Sequence, residues 1–429
     1  MSLQAIFDLY SLRRDLHRKP SEMRSEQTKK LREILEHAYR NVPFYHRKFD
    51  SAGVKPEDIR SIDDLSKIPT TTKSELQYAR TKDITAWNFD IDKCVKRTTS
   101  GSTGSPLTII VNKRTLSFEM ALWNLALTEN GFRPWHKMAV ITDPTDFPKS
   151  KPWIQYLGLM RRKYLSVFDD PSEQSRILED FEPNAIKGYP SSLVILANFL
   201  KQNSKRIKPH LIMTSAELAD KKSKQLIRST FEAEVLDNYA SNEFSLMAWE
   251  CREHLGYHIN SDSLIMEFTS NEENVSPGGR GEIVCTGLLN RAMPLIRYRM
   301  GDVGILSEEQ CACGRTLPLM KLIEGRTDDF LVALDGRIIS PTVFFPYPFE
   351  GFEGLKQFRV IQGERDRLIF QLVLEEGFPD IDEKILERAR KKIQRLFGEG
   401  MRVEFRCLKE IGREPSGKLR KVISNIPTA

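Results

Sequence analysis

Short β-rich runs alternate with helical patterns between about residue 95 and residue 300, and this alternation limits the fold more than any other feature. Strands are predicted where β-branched and aliphatic residues cluster, at Met138–Ile141, His210–Thr214, Glu234–Leu236 and Gly281–Cys285. Apolar residues at helical spacing predict helices between them, for instance Ser192–Lys201 and Lys221–Phe231. Because alternating strands and helices build layered α/β domains, we expect an α/β fold with a largely parallel sheet.

The chain changes character outside this region. Residues 22–46 predict one amphipathic helix. After Gly325, the dipeptide Asp335-Gly336 between two apolar runs predicts a hairpin with a type I′ turn, and residues 381–397 predict a helix with one apolar face. Since 429 residues exceed one typical core, we expect two domains, over residues 1–325 and 326–429.

Composition and charge exclude several function classes. The chain has 65 basic and 59 acidic residues, a net charge of +6 spread without blocks, which does not favour a nucleic-acid partner. The basic clusters Arg161–Lys163 and Lys221–Lys224 are interpreted as solvated helix faces. No long apolar run predicts a membrane span, and no secretory signal opens the chain, so we expect a cytoplasmic protein.

Two glycines and five hydroxyl side chains crowd into Thr99–Pro106. Glycine leaves backbone N–H groups uncovered, and these groups with the hydroxyls can cradle an anion. A Walker loop would end in Gly-Lys-Ser/Thr and lead into a helix, whereas here Gly104 is followed by Ser105, Pro106 and a predicted strand over Leu107–Val111. Taken alone, such a run is more often a flexible turn than an anion-binding loop.

Five further segments follow this loop in a recognisable order. They are Thr214-Ser215-Ala216-Glu217, Tyr239-Ala240-Ser241-Asn242-Glu243, Tyr298-Arg299-Met300-Gly301-Asp302, Gly325-Arg326-Thr327-Asp328-Asp329 and Pro415-Ser416-Gly417-Lys418. With the loop, they make the chain resemble the adenylate-forming superfamily of acyl-CoA synthetases, over nearly its whole length. Within it, the chain resembles the phenylacetate–CoA ligase branch, which includes homologues from capsular polysaccharide biosynthesis.

The resemblance implies a large N-terminal α/β domain that binds ATP and the carboxylate, followed by a small mobile α+β lid. It implies catalytic roles for Glu243, which would bind Mg²⁺, and for Lys418, which would bridge the substrate carboxylate and the α-phosphate. Adenylation concentrates negative charge at that phosphate, so positioned cations and N–H donors are what the reaction needs. Arg326 would lie at the hinge between the domains.

The resemblance assigns further residues to the nucleotide and acyl sites. We expect each of them to contact ATP or the acid. They are Thr99, Ser100, Gly101, Ser102, Thr103 and Gly104 around the β- and γ-phosphates, Asp302 at the ribose, Tyr239 at the adenine, and Ala216, Glu217 and Asn242 around the pocket. A core position is nearly as reasonable an interpretation of Tyr239, and structural roles are an equally reasonable interpretation of Ala216 and Glu217. Ser105, Asn242 and Met300 depart from the family pattern, which leaves the substrate open.

A second motif has the chemistry of a metal site. Cys311-Ala312-Cys313-Gly314 places two thiols in a tight turn, and Cys251 lies upstream with His254 and His258 as possible partners. Zinc favours four nitrogen or sulfur ligands in a tetrahedron. Because some phenylacetate–CoA ligase relatives carry a similar pattern, we assign structural Zn²⁺ to Cys251, His258, Cys311 and Cys313. His254 is the alternative fourth ligand. The alternative to a metal site is that the three cysteines are reduced and bind no metal.

These features predict an AMP-forming acid–thiol ligase. It would convert a carboxylic acid and ATP to an acyl-adenylate and pyrophosphate, then transfer the acyl group to CoA. Tyr189 and Phe147 are candidates for an aromatic acid pocket, and core packing explains either residue equally well. Two alternatives remain: an enzyme of polysaccharide assembly with a different acceptor, such as a sugar amine or a carrier, and a homologue that binds nucleotide and zinc without turnover.

Overall fold

The computed structural model describes residues 3–98, 107–148, 150–217, 219, 221–324, 331–339, 347–349, 354–375, 378, 381–412 and 420–426. The chain divides into two compact units. The first comprises residues 1–300 and 304–322, and the second comprises residues 301–303 and 323–429. In the described part of the chain, no helix is both long enough and apolar enough to cross a bilayer.

The α-helices of the first unit are numbered in chain order. They are α1 (Leu3–Asp15), α2 (Pro20–Asn41), α3 (Pro43–Ser51), α4 (Lys73–Tyr78), α5 (Thr81–Ile84), α6 (Lys113–Glu129), α7 (Pro171–Phe181), α8 (Pro190–Gln202) and α9 (Lys221–Phe231). The single helix predicted over residues 22–46 is two helices. Val42 adopts an extended conformation because the ring of Pro43 disfavours a helical residue before it, so α2 ends there and α3 begins.

The strands of this unit build a two-stranded ribbon and a sheet of twelve. The ribbon is β1 (Val95–Thr98) with β2 (Thr108–Val111). The sheet strands are β3 (Lys137–Thr142), β4 (Arg161–Ser166), β5 (Ala185–Gly188), β6 (Leu211–Ser215), β7 (Glu234–Ser241), β8 (Ser245–Glu250), β9 (Tyr257–Ile259), β10 (Leu264–Ser270), β11 (Glu273–Asn274), β12 (Arg280–Gly287), β13 (Tyr298–Leu306) and β14 (Leu319–Glu324). Their order is β11-β10-β12-β13-β14-β9-β8-β7-β6-β5-β3-β4.

The sheet is mixed rather than largely parallel. Strands β4, β3, β5, β6 and β7 pair in parallel. From β7 onward the pairs β7–β8, β8–β9 and β9–β14 are antiparallel. The helices α7, α8 and α9 connect strands of the parallel part, as the alternating sequence predicted. The carboxyl ends of these parallel strands therefore meet at one edge of the sheet.

The basic cluster Arg161–Lys163 is a strand, not a helix face, so its interpretation from sequence is wrong. It opens β4, the strand at the end of the sheet order. An edge strand has one unpaired row of backbone groups, and charged side chains there discourage pairing with other chains. That position explains why a strand of this sheet carries three consecutive cations.

The two faces of the parallel part pack different helices. Alternation along β3 sends Val140 to one face, where it joins a cluster with Leu122 of α6. Ile141 points to the other face, where it packs with Leu193 of α8 and Ile227 of α9. Successive strand residues point to opposite faces, so a buried strand flanked by helices is apolar on both. The predicted helix Lys221–Phe231 matches α9.

The second unit has its own core. Its elements are β15 (Leu331–Val332), β16 (Ile338–Ile339), β17 (Leu355–Glu364), β18 (Arg367–Leu374), α10 (Glu383–Phe397), β19 (Arg402–Cys407) and β20 (Val422–Ser424). The strands β15 and β16 form the predicted hairpin, with Gly336 at φ +90°. A sheet in the order β19-β18-β17-β20 packs Phe370 against Ile393 and Phe397 of α10.

A buried ion pair holds the segment before β13. The Arg297 guanidinium lies 3.1 Å from a carboxylate oxygen of Glu267, and the two side chains are 1% and 4% exposed. The guanidinium also donates to the carbonyls of Ser66 and Ile68. Burial raises the pKa of Glu267, and the charge of Arg297 opposes that rise.

We expect Glu267→Leu to lower the free energy of unfolding by about 3–5 kcal/mol, because it leaves a buried guanidinium without its counter-charge. The matched control is Glu282→Leu, which removes the carboxylate of the more exposed Arg299–Glu282 pair. That variant should lose about 1 kcal/mol or less. Urea unfolding measures both, and equal losses would contradict the importance of the buried pair.

Candidate functional site

The loop after β6 carries Ala216 and Glu217. Ala216 has a φ of +71°, so the chain turns sharply where the strand ends. The carboxylate of Glu217 accepts hydrogen bonds from the backbone N–H of Ser191 (2.9 Å) and from its hydroxyl (3.0 Å). Ser191 lies in the first turn of α8, where N–H groups lack helical partners. The loop is therefore fastened to the start of the neighbouring helix.

The connection from β7 to β8 places Glu243. The hydroxyl of Tyr298, which is buried at the start of β13, donates to Oε1 of Glu243 over 3.2 Å. The connection is tight: the N–H of Phe244 bonds the hydroxyl of Ser241, and Ser245 has a φ of +59°. Glu243 is half-buried, so this contact orients a carboxylate that is still reachable from solvent.

Asn242 contacts the start of the hydroxyl-rich loop. Its side-chain amide donates to the carbonyl of Thr98 over 2.8 Å. Thr98 ends β1 and is the last described residue before that loop. The predicted phosphate-binding residues Thr99, Ser100, Gly101, Ser102, Thr103 and Gly104 themselves lie outside the described residues. Asn242, one of the residues that differ from the family pattern, thus hydrogen-bonds the residue from which the loop leaves β1.

The other predicted site residues are distributed over both units. Tyr239 lies within β7, is 8% exposed and belongs to an apolar cluster of the first unit, which matches the core position left open by the sequence. Asp302 is half-buried in β13, among residues grouped with the second unit. Arg326 and Lys418 lie outside the described residues. Of the proposed aromatic pair, Tyr189 is in the core and Phe147 packs on Tyr164.

Sequence reasoning missed a buried carboxyl group beneath these loops. Asp237, in the middle of β7, accepts hydrogen bonds from the hydroxyls of Thr214 (2.6 Å) and Tyr257 (2.8 Å). Its backbone N–H donates to the carboxylate of Glu250 over 2.8 Å. Burial raises the pKa of Asp237 to about 6. The one sequence signal was an aspartate inside the apolar run that forms β7.

The four predicted metal ligands come together. One ligand atom from each of Cys251, His258, Cys311 and Cys313 lies within 4.8 Å of the others, and the first three residues are buried. The sulfurs of Cys251 and Cys311 are 3.5 Å apart, and Cys313 Sγ is 3.4 Å from Nε2 of His258. His254 instead contacts Glu234 at 2.7 Å, so it does not join this group.

The electrostatics of this cluster suit a cation. Burial, with the nearby charge of Arg315, lowers the pKa of His258 to about 4, so its imidazole is neutral at neutral pH. Burial raises the pKa of Cys251 to about 12. A metal ion needs neutral imidazole and thiolate sulfur, and a dication supplies the charge that makes buried thiolates stable. Three sulfurs and one nitrogen are a donor set that zinc accepts.

Both the second unit and the chain as a whole resemble known proteins. A family described as "CapK C-terminal domain" matches residues 331–425, most of the second unit. Phenylacetate-coenzyme A ligase from Thermus thermophilus is 27% identical, with 94% of this chain and 96% of that protein aligned. Protein CapK from Staphylococcus aureus is 23% identical over 93% of this chain and 89% of its own.

Solved structures show the same fold. 2-Hydroxyisobutyryl-CoA ligase, crystallised in the postadenylation state with an acyl-AMP, superposes with a TM-score of 0.79. The match covers 96% of this chain and 91% of that chain at 21% identity. An anthranilate CoA ligase in complex with anthranoyl-AMP gives 0.56 over 78% of this chain. The chain is therefore similar over most of its length to the phenylacetate–CoA ligases and Protein CapK, and it has the fold of CoA ligases that form acyl-adenylates.

Proposed function

We propose that this protein is an AMP-forming ligase that activates a carboxylic acid with ATP and transfers the acyl group to CoA. A carboxylate oxygen attacks the α-phosphorus, the bond to the β-phosphate breaks, and pyrophosphate leaves. The CoA thiolate then attacks the acyl carbon, and AMP leaves. One observation carries the proposal: the β7–β8 connection holds the oriented carboxylate of Glu243 next to Asn242, which grips the start of the hydroxyl-rich loop.

Roles in the first step follow from residue chemistry and from the family. Thr99–Gly104 offers N–H groups and hydroxyls to the β- and γ-phosphates. Ala216 and Glu217 border the adenine and the acyl group. Glu243 would hold Mg²⁺, because a hard cation prefers carboxylate oxygen. When bound, Mg²⁺ neutralises phosphate charge; Tyr298 keeps the Glu243 carboxylate in place before the substrate arrives.

The second unit supplies the remaining roles. Asp302 binds the ribose hydroxyls, since one carboxylate can accept two hydrogen bonds. Lys418 bridges the substrate carboxylate and the α-phosphate, where negative charge develops. Arg326 marks the hinge at which the small domain changes position between the two steps, which makes that domain a gating element.

A second candidate differs only in the acceptor. The C-terminal family match is to CapK, and Protein CapK aligns over most of this chain. In this alternative, the acyl-adenylate is passed to an amine or a carrier instead of CoA. The first step and its residues are unchanged.

We expect Glu243→Gln to slow acyl-adenylate formation by about 100-fold or more. The reason is that Mg²⁺ would lose its carboxylate ligand, so the charge that develops on the phosphate would be less well neutralised. Tyr298→Phe should slow it by about 5- to 20-fold, the effect of one hydrogen bond to a charged group. Single-turnover quench experiments at several Mg²⁺ concentrations measure both.

The matched control is Tyr39→Phe, which removes a hydroxyl that donates to Asp50 elsewhere in the first unit. Its rate should equal that of the unmodified protein. If Tyr298→Phe behaves like this control, the hydroxyl does not position Glu243 for the reaction.

We also propose that Cys251, His258, Cys311 and Cys313 bind a structural Zn²⁺, supported by their proximity and by the neutral imidazole.

Purified protein should then contain one zinc per chain by elemental analysis. Cys313→Ser should lose the metal and lower Tm by about 5–10 °C, because binding stabilises only the folded state. Cys94→Ser, at a half-buried cysteine outside the cluster, should keep both metal and Tm. Full stability of metal-free protein would overturn the assignment.

A further inference from the structure

Lys187 occupies an unusual place for a lysine. It is the third residue of β5, paired in register with Val140 on one side and Met213 on the other. Val140 and Met213 belong to the apolar cluster beneath α6, and laterally paired strand residues point to the same face. The Lys187 side chain therefore extends into the α6 face at the carboxyl end of the parallel strands. In open α/β sheets, this edge is where ligands bind.

A chain of contacts links this ammonium to the proposed active site. Lys187 Nζ lies 3.4 Å from the centre of the Trp123 ring, in a cation–π contact. The indole N–H of Trp123 donates to the hydroxyl of Ser245 over 3.1 Å. Ser245 begins β8, two residues after Glu243. All four residues belong to the first unit.

In the described part of the chain, the Lys187 ammonium forms no ion pair. Among the residues that the structure describes, no carboxylate lies within 4.0 Å of Lys187 Nζ or of the Arg162 guanidinium on β4. Burial lowers the pKa of Lys187 to about 7; the charge of Arg162 adds to this shift, and that of Asp146 opposes it. Lys187 is half-buried, and a cation held partly out of water without an ion-pair partner destabilises a fold, so its position at a ligand-binding edge calls for a ligand that compensates it.

We propose that Lys187 recognises a second, anionic oxygen group on the acid, at the end opposite the carboxylate that is activated. This inference rests on the proposed function and names its substrate class: dicarboxylic acids, or aryl acids with an acidic ring substituent. Trp123 presents an aromatic face to the tail of such an acid, and Tyr164, paired with Val140 in register, lies on the same face of the sheet. The anionic group displaces the indole as the partner of the ammonium and neutralises its charge.

The test compares acids matched in shape. The specificity constant kcat/KM for pyrophosphate release is measured with 4-carboxyphenylacetate against 4-methylphenylacetate, and with adipate against hexanoate. We expect a preference of about 10- to 100-fold for the anionic member of each pair, as for a buried polar group left unpaired by the wrong substrate. Lys187→Met should abolish the ratio, and Lys187→Arg should restore part of it.

Lys201→Met is the control, because Lys201 is an exposed lysine on α8 and should leave the ratio unchanged. A ratio that survives Lys187→Met overturns the inference. The inference is also overturned if Lys187→Met lowers kcat/KM equally for both acids of a pair and raises the KM for ATP, since Lys187 would then bind the nucleotide.

A binding measurement separates failure of this inference from failure of the proposed function. If no acid supports pyrophosphate release, the same pairs are titrated while tryptophan fluorescence is recorded. A change with the anionic acid alone, absent in Trp123→Phe and in Lys187→Met, would support recognition by Lys187 even though the reaction is wrong. Equal responses to both members of a pair would overturn the recognition.

Discussion

A carboxyl group inside the sheet supports the centre of the first unit. Asp237 binds the hydroxyl of Thr214 on β6 and that of Tyr257 on β9, and its own N–H is bound by Glu250 at the end of β8. A buried carboxyl without partners would cost several kcal/mol, so these strands are held in the one register that satisfies it. The loop that follows β6 starts two residues beyond Thr214, and His258 follows Tyr257 directly. The loop that carries Ala216 and Glu217 and the cluster of Cys251, His258, Cys311 and Cys313 thus share one support.

Local patterns predicted three of the five parallel strands, whereas β5 was not predicted and β4 was read as a helix face. Strands β3, β6 and β7 and helices α8 and α9 were all expected near their observed positions, because each combines a clear period with a clear end. The antiparallel part could not be predicted as a whole. The pair of β9 with β14 joins segments about 60 residues apart, and register depends on which faces are buried. Arg161–Lys163 was misread because charge alone does not distinguish an edge strand from a helix.

The site shows the same division. Asn242 and Glu243 are adjacent in sequence, so one motif suggested both, whereas the contact of Tyr298 with Glu243 depends on folding. The choice between His254 and His258 was likewise a question of pairing: β9 lies antiparallel to β8 and sets His258 opposite Trp249. Lys187 had no sequence signal, because its chemistry depends on partial burial and on its contact with Trp123, which only folding brings about.

The central claim is that the protein uses ATP to convert a carboxylic acid to an acyl-adenylate. Pyrophosphate release that depends on the acid tests this claim most directly. ATP, Mg²⁺ and a panel of aryl, fatty and dicarboxylic acids are assayed with and without CoA, using the unmodified protein, Lys418→Ala and, as control, Lys421→Ala. We predict release with one class of acid, faster with CoA, reduced about 100-fold in Lys418→Ala and unchanged in Lys421→Ala. ATP binding without release for any acid would contradict the account and indicate a nucleotide-binding protein without turnover.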